Sequence, residues 1–231
     1  MLFSPGWTRA KRSDPPGLTT AGPSVPSRHR VFHVEPVWLR AARYAGLTLD
    51  DRQHEQMTRY QGWLSDEALP AGGIGPGETD RIESRHLGDS LLFASVFPHD
   101  TPRVWDLGTG VGLPGLPLAI ALPGTEFLLV DRSGRRISLV RRAIRILDLE
   151  NCTTMQGEIT ELTGGVEVMV TRASLPPREM AVVARRHLLP GGVAVMGGSW
   201  RVPPESVDWT VSEIPPDTLD HTIWLLIMRG E

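Results

Sequence analysis

The chain has 231 residues, with 24 basic and 27 acidic side chains and a formal net charge of −3 at pH 7. Its composition, 40% hydrophobic and 22% charged, excludes collagen, coiled-coil arrays and global disorder. The single cysteine, Cys152, excludes a disulfide framework and a cysteine-rich zinc site and favours a cytoplasmic protein. The histidines lack metal-ligand spacing and no run of about 18 apolar residues is present, so we expect neither a metal site nor a membrane span.

Proline content and hydrophobic periodicity divide the chain into three parts. Residues 1–34 are rich in proline without a hydrophobic period, which predicts a disordered arm. Residues 35–98 have helical periodicity, which predicts a helical cap, and residues 102–231 alternate between strand and helix patterns. The last two parts are predicted to form one domain, 35–231.

Two helix starts are predicted within the helical part. Thr48, Asp50 and Asp51 are typical of a first helical turn, where acidic side chains are stabilising. Another helix is predicted to begin near Glu78, after a glycine-rich loop, and to bury four apolar residues: Ile82, Leu87, Leu91 and Val96.

The alternation after residue 102 predicts an α/β fold with a parallel sheet covered by helices on both faces. A helix over Arg178–Leu189 should be closed by Pro190 and Gly191, and an antiparallel pair should complete the sheet. Ligands bind beyond the carboxyl ends of such strands, so the candidate positions are the turns after Leu107, Val130 and Val170. The predicted strands are Arg103–Leu107, Glu126–Val130, Cys152–Met155, Val166–Val170, Gly192–Met196, Trp209–Ile214 and Thr222–Met228.

The strongest local signal is the glycine turn between Asp106 and Gly115, which is typical of a nucleotide-binding loop at a helix start. Read as Gly110, Gly112 and Gly115, the turn matches the dinucleotide fingerprint. Its other register begins at Gly108, continues with Gly110 and Gly112, and matches the loop of Rossmann-like methyltransferases. Asp106 favours the second register, because a carboxylate there would repel a pyrophosphate but complement the charged methionine part of S-adenosylmethionine.

Asp131 follows the next predicted strand and admits two interpretations. Its carboxylate could accept both ribose hydroxyls of the cofactor, or it could cap the helix that begins at Ser133.

The helix predicted over residues 134–147 is strongly basic on its polar face. Guanidinium groups pair with phosphate, so an RNA-binding face and an ordinary solvated face are both open. The arginines proposed to contact RNA are Arg135, Arg136, Arg141 and Arg142.

The turn after Val170 lacks the acidic or amide residue, two prolines and an aromatic that enzymes methylating exocyclic amines usually place there. A ring nitrogen with a free lone pair is a more suitable acceptor, because it needs placement and no general base. His86 could act as a base, but a structural hydrogen bond with the nearby Asp89 is the plainer interpretation.

These segments together resemble a known family, the bacterial 16S rRNA methyltransferases that modify ring position seven of guanine. The family is also called glucose-inhibited division protein B. The resemblance rests on the turn Asp106–Gly115 with Leu116–Ile120, on Leu128–Asp131, on Thr171–Ala173, and on the stretch Arg85–Ser90.

The resemblance implies an α/β fold, a Rossmann-like class I methyltransferase sheet with an N-terminal helical segment. It also implies S-adenosylmethionine as cofactor and 16S rRNA or the 30S subunit as partner. Independently of the resemblance, we expect a monomer. Cofactor positions expected from the turn and the resemblance are Asp106, Gly108, Gly110, Gly112, Leu113, Asp131, Ile159, Thr160 and Arg172.

Two departures from the family pattern are visible. The stretch Gly73–Glu78 replaces the usual Asn-Leu-Thr and resembles a variant of high-GC Gram-positive members. Gly197 and Gly198 stand where the family usually has Lys-Gly. The missing lysine keeps an alternative open, a paralogue of the same fold acting on a small molecule or a protein.

Overall fold

The computed structural model describes residues 35–198, 200, 203 and 208–231. The predicted disordered arm, residues 1–34, lies outside the described residues. Helical elements occupy the chain from Val37 to Val96, and the first strand begins at Arg103.

The first two helices are α1, Val37–Tyr44, and α2, Asp51–Trp63. Asp50 starts α2 as predicted: its carboxylate accepts a hydrogen bond from the backbone N–H of Gln53, whose side chain returns a bond to the N–H of Asp50. This reciprocal pair satisfies two of the backbone donors that a helix start leaves open. A π-helical turn, Leu64–Ala68, extends α2.

The helix predicted to start near Glu78 is a chain of short turns. It consists of a 3-10 turn, Pro76–Arg81, a π-helical turn, Ile82–Gly88, the helix α3, Asp89–Leu92, and a second 3-10 turn, Phe93–Val96. The burial predicted for Ile82, Leu87 and Leu91 is confirmed, whereas Val96 is only half-buried. Single π-helical turns are frequent at functional sites.

The described residues form one seven-stranded sheet in the order β3-β2-β1-β4-β5-β7-β6. Strands β1 to β5 are parallel, and β7 runs antiparallel to both β5 and β6. The strands are β1 Arg103–Leu107, β2 Glu126–Asp131, β3 Cys152–Gln156, β4 Val166–Arg172, β5 Leu188–Gly198, β6 Thr210–Ile214 and β7 Ile223–Arg229.

Helices α4, Gly115–Ala121, α5, Gly134–Leu147, and α6, Pro177–His187, connect the parallel strands. Apolar side chains are buried on both sides of the sheet in two clusters, one of which also receives the N-terminal helices through Trp38 and Tyr60. The prediction of an α/β fold, a Rossmann-like class I methyltransferase sheet preceded by a helical segment, is therefore confirmed.

The predicted end of the last long helix is wrong. Helix α6 ends at His187, and Pro190 and Gly191 lie within β5 and do not close a helix. The register explains the difference, because Val166 of β4 pairs with Leu188 whereas Val168 pairs with Val193. The additional residues of β5 bulge out at its exposed start, where a proline is tolerated.

Candidate active site

The glycine turn lies between β1 and α4 and is bound to the neighbouring strand β2. The backbone N–H groups of Gly108 and Thr109 both donate to the carbonyl oxygen of Val130, at 2.8 and 2.9 Å. A side chain at Gly108 would be excluded, because its Cβ would lie 2.3 Å from the Cβ of Ser174. The turn therefore passes close to the segment that follows β4.

Gly110 lies at the open side of the same turn. Its φ of +62° is in the left-handed region, and no atom lies within 4 Å of the position a Cβ would take. The next residues face inward: a Cβ at Gly112 would lie 2.3 Å from Leu116, and Leu113 is buried. The surface that the turn offers to a ligand is therefore the backbone around Gly110.

Asp106, at the end of β1, is completely buried beneath the turn. Its Oδ2 accepts hydrogen bonds from Thr109 Oγ1 at 2.6 Å and from the backbone N–H of Gly115 at 2.9 Å, while Oδ1 has no partner. Burial raises the pKa of Asp106 to about 7. The carboxylate thus fixes the shape of the turn and retains one acceptor atom. The contribution of Thr109 has no separate sequence signal.

Asp131, at the end of β2, meets the glycine turn as its spacing predicts. Its Oδ2 accepts the backbone N–H of Gly110 at 3.0 Å, and its Oδ1 accepts that of Ser133 at 2.9 Å. Ser133, and not Asp131, is the N-cap of α5, because the Ser133 hydroxyl accepts the N–H of Arg136. The helix-cap interpretation of Asp131 is therefore wrong.

Ile159 and Thr160 lie in a short 3-10 turn, Ile159–Glu161, beyond β3. Ile159 is half-buried and Thr160 is exposed. The segment is joined to the end of β2 by a bond of 3.2 Å from the N–H of Gly157 to the carbonyl oxygen of Asp131. These two residues consequently belong to the same edge of the sheet as the glycine turn.

Arg172, at the end of β4, connects the sheet to Ile82–Gly88, hereafter the π-helical turn. Its Nη1 donates to the carbonyl oxygen of Arg85 at 2.7 Å, and its Nη2 donates to Nδ1 of His86 at 2.9 Å. Arg172 borders a cavity of about 320 Å³ at the carboxyl ends of β4 and β5, together with His86, Asp89 and Gly197. Three larger cavities lie elsewhere among the described residues: those of about 560 and 680 Å³ are beside the amino end of β2, and one of about 430 Å³ is between α5 and β3.

The suggested hydrogen bond between His86 and Asp89 is not present. Asp89 instead accepts a bond of 2.9 Å from Nε2 of His221, a partner 132 residues away that no sequence signal indicates. Burial, with the nearby charges of Arg172 and Arg85, lowers the pKa of His86 to about 3. His86 is therefore neutral and is too weak a base for proton abstraction near neutral pH.

The four arginines proposed for RNA binding are exposed on α5, and each has a partner within the chain. Arg142 forms an ion pair with Glu67, which lowers the pKa of that carboxyl. The other three contact Ala71, Asp131 and Thr154, in the pairs Arg135–Ala71, Arg136–Asp131 and Arg141–Thr154.

Arg132, which precedes α5, and Arg145, in its last turn, are also exposed, and they have no side-chain partner among the described residues. Their guanidinium groups are the ones already available to a phosphate.

The described part of the chain contains no group of three or more histidine, cysteine, aspartate or glutamate side chains placed to hold a metal ion. Among the helices of the described residues, none combines the length and the apolar composition that a membrane span requires.

The model of the GidB family, described as rRNA small subunit methyltransferase G, matches residues 53–200. The matched range covers well over half of the chain and contains the glycine turn, Asp131 and Arg172. The chain belongs to the GidB family.

Individual relatives agree with this assignment. A ribosomal RNA small subunit methyltransferase G of Acidothermus cellulolyticus is 40% identical over 139 residues, 59% of this chain and 61% of the relative. The protein of the same name from Chlorobium luteolum is 35% identical over 64% of this chain and 63% of the relative. That from Chlorobaculum tepidum is 34% identical over 68% and 74%. The chain thus spans somewhat less than two thirds of the first two relatives.

Proposed function

We propose that this GidB-family chain is an S-adenosylmethionine-dependent methyltransferase that methylates the position-seven nitrogen of a guanine in 16S rRNA. The observation that carries the proposal is that the family match, residues 53–200, includes the glycine turn, Asp131 and Arg172, which lie along one edge of the sheet. That edge is where parallel α/β sheets bind their ligands.

The residues at this edge fit the cofactor. The open space at Gly110 admits a ligand against the backbone, and the buried Oδ1 of Asp106 is an acceptor without a partner. Each oxygen of Asp131 accepts one backbone N–H, which leaves each a lone pair for a ribose hydroxyl. The residues that would hold the cofactor are Asp106, Gly108, Gly110, Gly112, Leu113, Asp131, Ile159, Thr160 and Arg172.

S-adenosylmethionine supplies an electrophilic methyl group on a sulfonium sulfur. A guanine ring nitrogen carries its own lone pair, so the chain has to bind and orient the base and has no proton to remove. His86 matches this requirement, because its pKa of about 3 makes it a neutral side chain and not a proton acceptor near neutral pH.

The RNA surface is proposed to include the exposed face of α5, with Arg135, Arg136, Arg141 and Arg142, extended by Arg132 and Arg145. Phosphate would have to replace the present partners of the first four. We further propose that the chain acts as a monomer, in the cytoplasm, on 16S rRNA or on the 30S subunit. The single cysteine is consistent with that compartment.

The proposal is tested by transfer of tritiated methyl from S-adenosylmethionine to deproteinised 16S rRNA and to 30S subunits, with 50S subunits as the control. We expect label in at least one of the first two and none in the control. Label on a small molecule or a protein, with none on either RNA sample, would instead support the paralogue.

A further inference from the structure

The cavity of about 320 Å³ beside Arg172 is lined by polar side chains, among them His86 and Asp89, that have no role in the proposed cofactor site. It lies between the π-helical turn, the ends of β4 and β5, and the start of β7. Thr171, adjacent to Arg172, donates to the carbonyl oxygen of Leu107 at the start of the glycine turn. The cavity is therefore next to the proposed methyl-donor site.

His86 presents a fixed hydrogen-bond donor at this cavity. A guanidinium group only donates, so Nδ1 of His86 must accept the bond from Arg172, and the proton of the neutral ring is on Nε2. Nε2 is buried and has no hydrogen-bond partner; its nearest acceptor, Oε2 of Glu78, is 3.5 Å away. Glu78 is partly exposed and its other ion pairs are 3.9 Å long, so its side chain can move aside.

Asp89 presents an acceptor three residues further on; burial raises the pKa of its carboxyl, and the hydrogen bond from His221 opposes that rise. Its Oδ1 accepts the bond from Nε2 of His221, while Nδ1 of His221 faces the carbonyl oxygen of Leu219. Because both partners of His221 are acceptors, the imidazolium form satisfies both contacts, and the pKa of His221 is raised accordingly. The Oδ2 of Asp89 accepts no hydrogen bond from any described residue.

We propose that this cavity binds the target guanine through its Watson–Crick edge, with His86 Nε2–H donating to O6 and Asp89 Oδ2 accepting N1–H and the 2-amino group. His86 and Asp89 both border this cavity, so a donor and an acceptor are available to one bound base. The proposal rests on the proposed function and extends it to the residues that select the base.

The same arrangement explains selection of both the base and the ring position. Adenine has an amino group where guanine has O6 and a lone pair at N1, so it would oppose both His86 and Asp89. A guanine bound by its Watson–Crick edge keeps N7 free on the adjoining edge, where it can face the methyl donor.

The test is a titration of the full-length protein, saturated with S-adenosylhomocysteine, with the 5′-monophosphates of guanosine, inosine and adenosine. We expect guanosine monophosphate to bind at least about tenfold more tightly than adenosine monophosphate. Inosine monophosphate, which lacks only the 2-amino group, should bind several-fold more weakly than guanosine monophosphate. Equal binding of the three nucleotides, or no binding, would overturn the proposal without need of any variant.

The variant Asp89→Asn tests whether Asp89 is the residue that distinguishes guanosine from inosine. The variant should bring the ratio of guanosine to inosine affinity close to one. The control Glu167→Gln also replaces a carboxylate by an amide, but at the amino end of β4, and should leave that ratio unchanged. An unchanged ratio in a folded Asp89→Asn protein would show that another group reads the 2-amino position. Selective guanosine binding with no methylation of rRNA would support the guanine pocket and refute rRNA as the substrate. Methylation of rRNA without nucleotide discrimination would support rRNA as the substrate and refute the guanine pocket.

Discussion

Gly110 joins the two halves of the proposed cofactor site, since its N–H is bound by Asp131 and its Cα faces open space. Gly110→Asp should abolish the rise in melting temperature caused by S-adenosylhomocysteine, because the new carboxylate would occupy the ligand's space beside Asp131. At a ligand concentration of 100 Kd that rise corresponds to about 2.7 kcal/mol.

Gly46→Asp is the matched control, because Gly46 also has a left-handed φ, +73°, and open space around its Cα. Both variants carry the same backbone strain, about 1–2 kcal/mol, but only the first should lose the ligand response. A full response in Gly110→Asp, or stabilisation of the wild type by a nicotinamide dinucleotide instead, would refute the methyltransferase register.

Asp131 is expected to contribute to cofactor affinity more than to folding. Asp131→Ala should weaken S-adenosylhomocysteine binding by about 1.5–3 kcal/mol, the range for hydrogen bonds to a charged group, as measured by calorimetry. Ser133→Ala, which removes the N-cap of α5, should lower the melting temperature and leave the dissociation constant unchanged. If both variants lost affinity equally, Asp131 would act only through the start of α5.

The buried Asp106 predicts a pH dependence of stability. Its pKa is about 7 in the folded protein against an ordinary value of 3.8, so between these values the folded state holds a proton that the unfolded state has released. The free energy of unfolding should therefore decrease as pH rises from about 4 to 7, by at most about 1.4 kcal/mol per pH unit.

Asp106→Asn tests this, because the amide keeps an oxygen for Thr109 and Gly115 but does not titrate. Urea unfolding at pH 5, 6 and 7 should give a shallower dependence in the variant. Identical dependences in the two proteins would mean that Asp106 is ionised throughout this range.

Variants of the arginines on α5 can distinguish whether the exposed face of this helix binds phosphate or is only solvated. Each phosphate contact with single-stranded RNA contributes about 0.7 to the slope of log affinity against log salt. Arg141→Gln with Arg142→Gln should lower that slope by the contribution of one or two contacts. Consecutive helical residues point about 100° apart, so the two side chains need not both reach the RNA. Affinity for S-adenosylhomocysteine should stay unchanged.

The control is Arg185→Gln with Arg186→Gln on α6, which removes the same charge from another exposed pair of adjacent arginines. Filter binding of a 16S rRNA fragment at several salt concentrations measures both slopes. Equal slopes in the two double variants would leave α5 as a solvated face and direct attention to other surfaces.

Elements with clear end signals were predictable from the sequence. Helix α5 has the predicted bounds, because a serine cap precedes its apolar stripe and Asp148, with a left-handed φ of +53°, ends it. The start of β5 was not predictable, since Pro190 and Gly191 are typical of a helix end and are accommodated only by the bulge against β4. The helical pattern after Glu78 was correct in burial but not in helix type.

At the scale of the whole molecule, the parallel sheet brings the glycine turn and Asp131 together as the sequence predicts, because the carboxyl ends of parallel strands share one edge. The contacts of Arg172 with His86 and of Asp89 with His221 join residues 86 and 132 positions apart. They depend on how the π-helical turn packs against β4 and β7, which no local pattern records.

The proposed methyl acceptor is the position-seven nitrogen of a guanine in 16S rRNA. After reaction of the wild-type protein with 30S subunits and labelled S-adenosylmethionine, the 16S rRNA is digested to nucleosides and separated by chromatography. We expect the label to co-elute with 7-methylguanosine and to be absent when Gly110→Asp replaces the wild type. Label in any other nucleoside, or no transfer to RNA by a protein that binds S-adenosylhomocysteine, would contradict it.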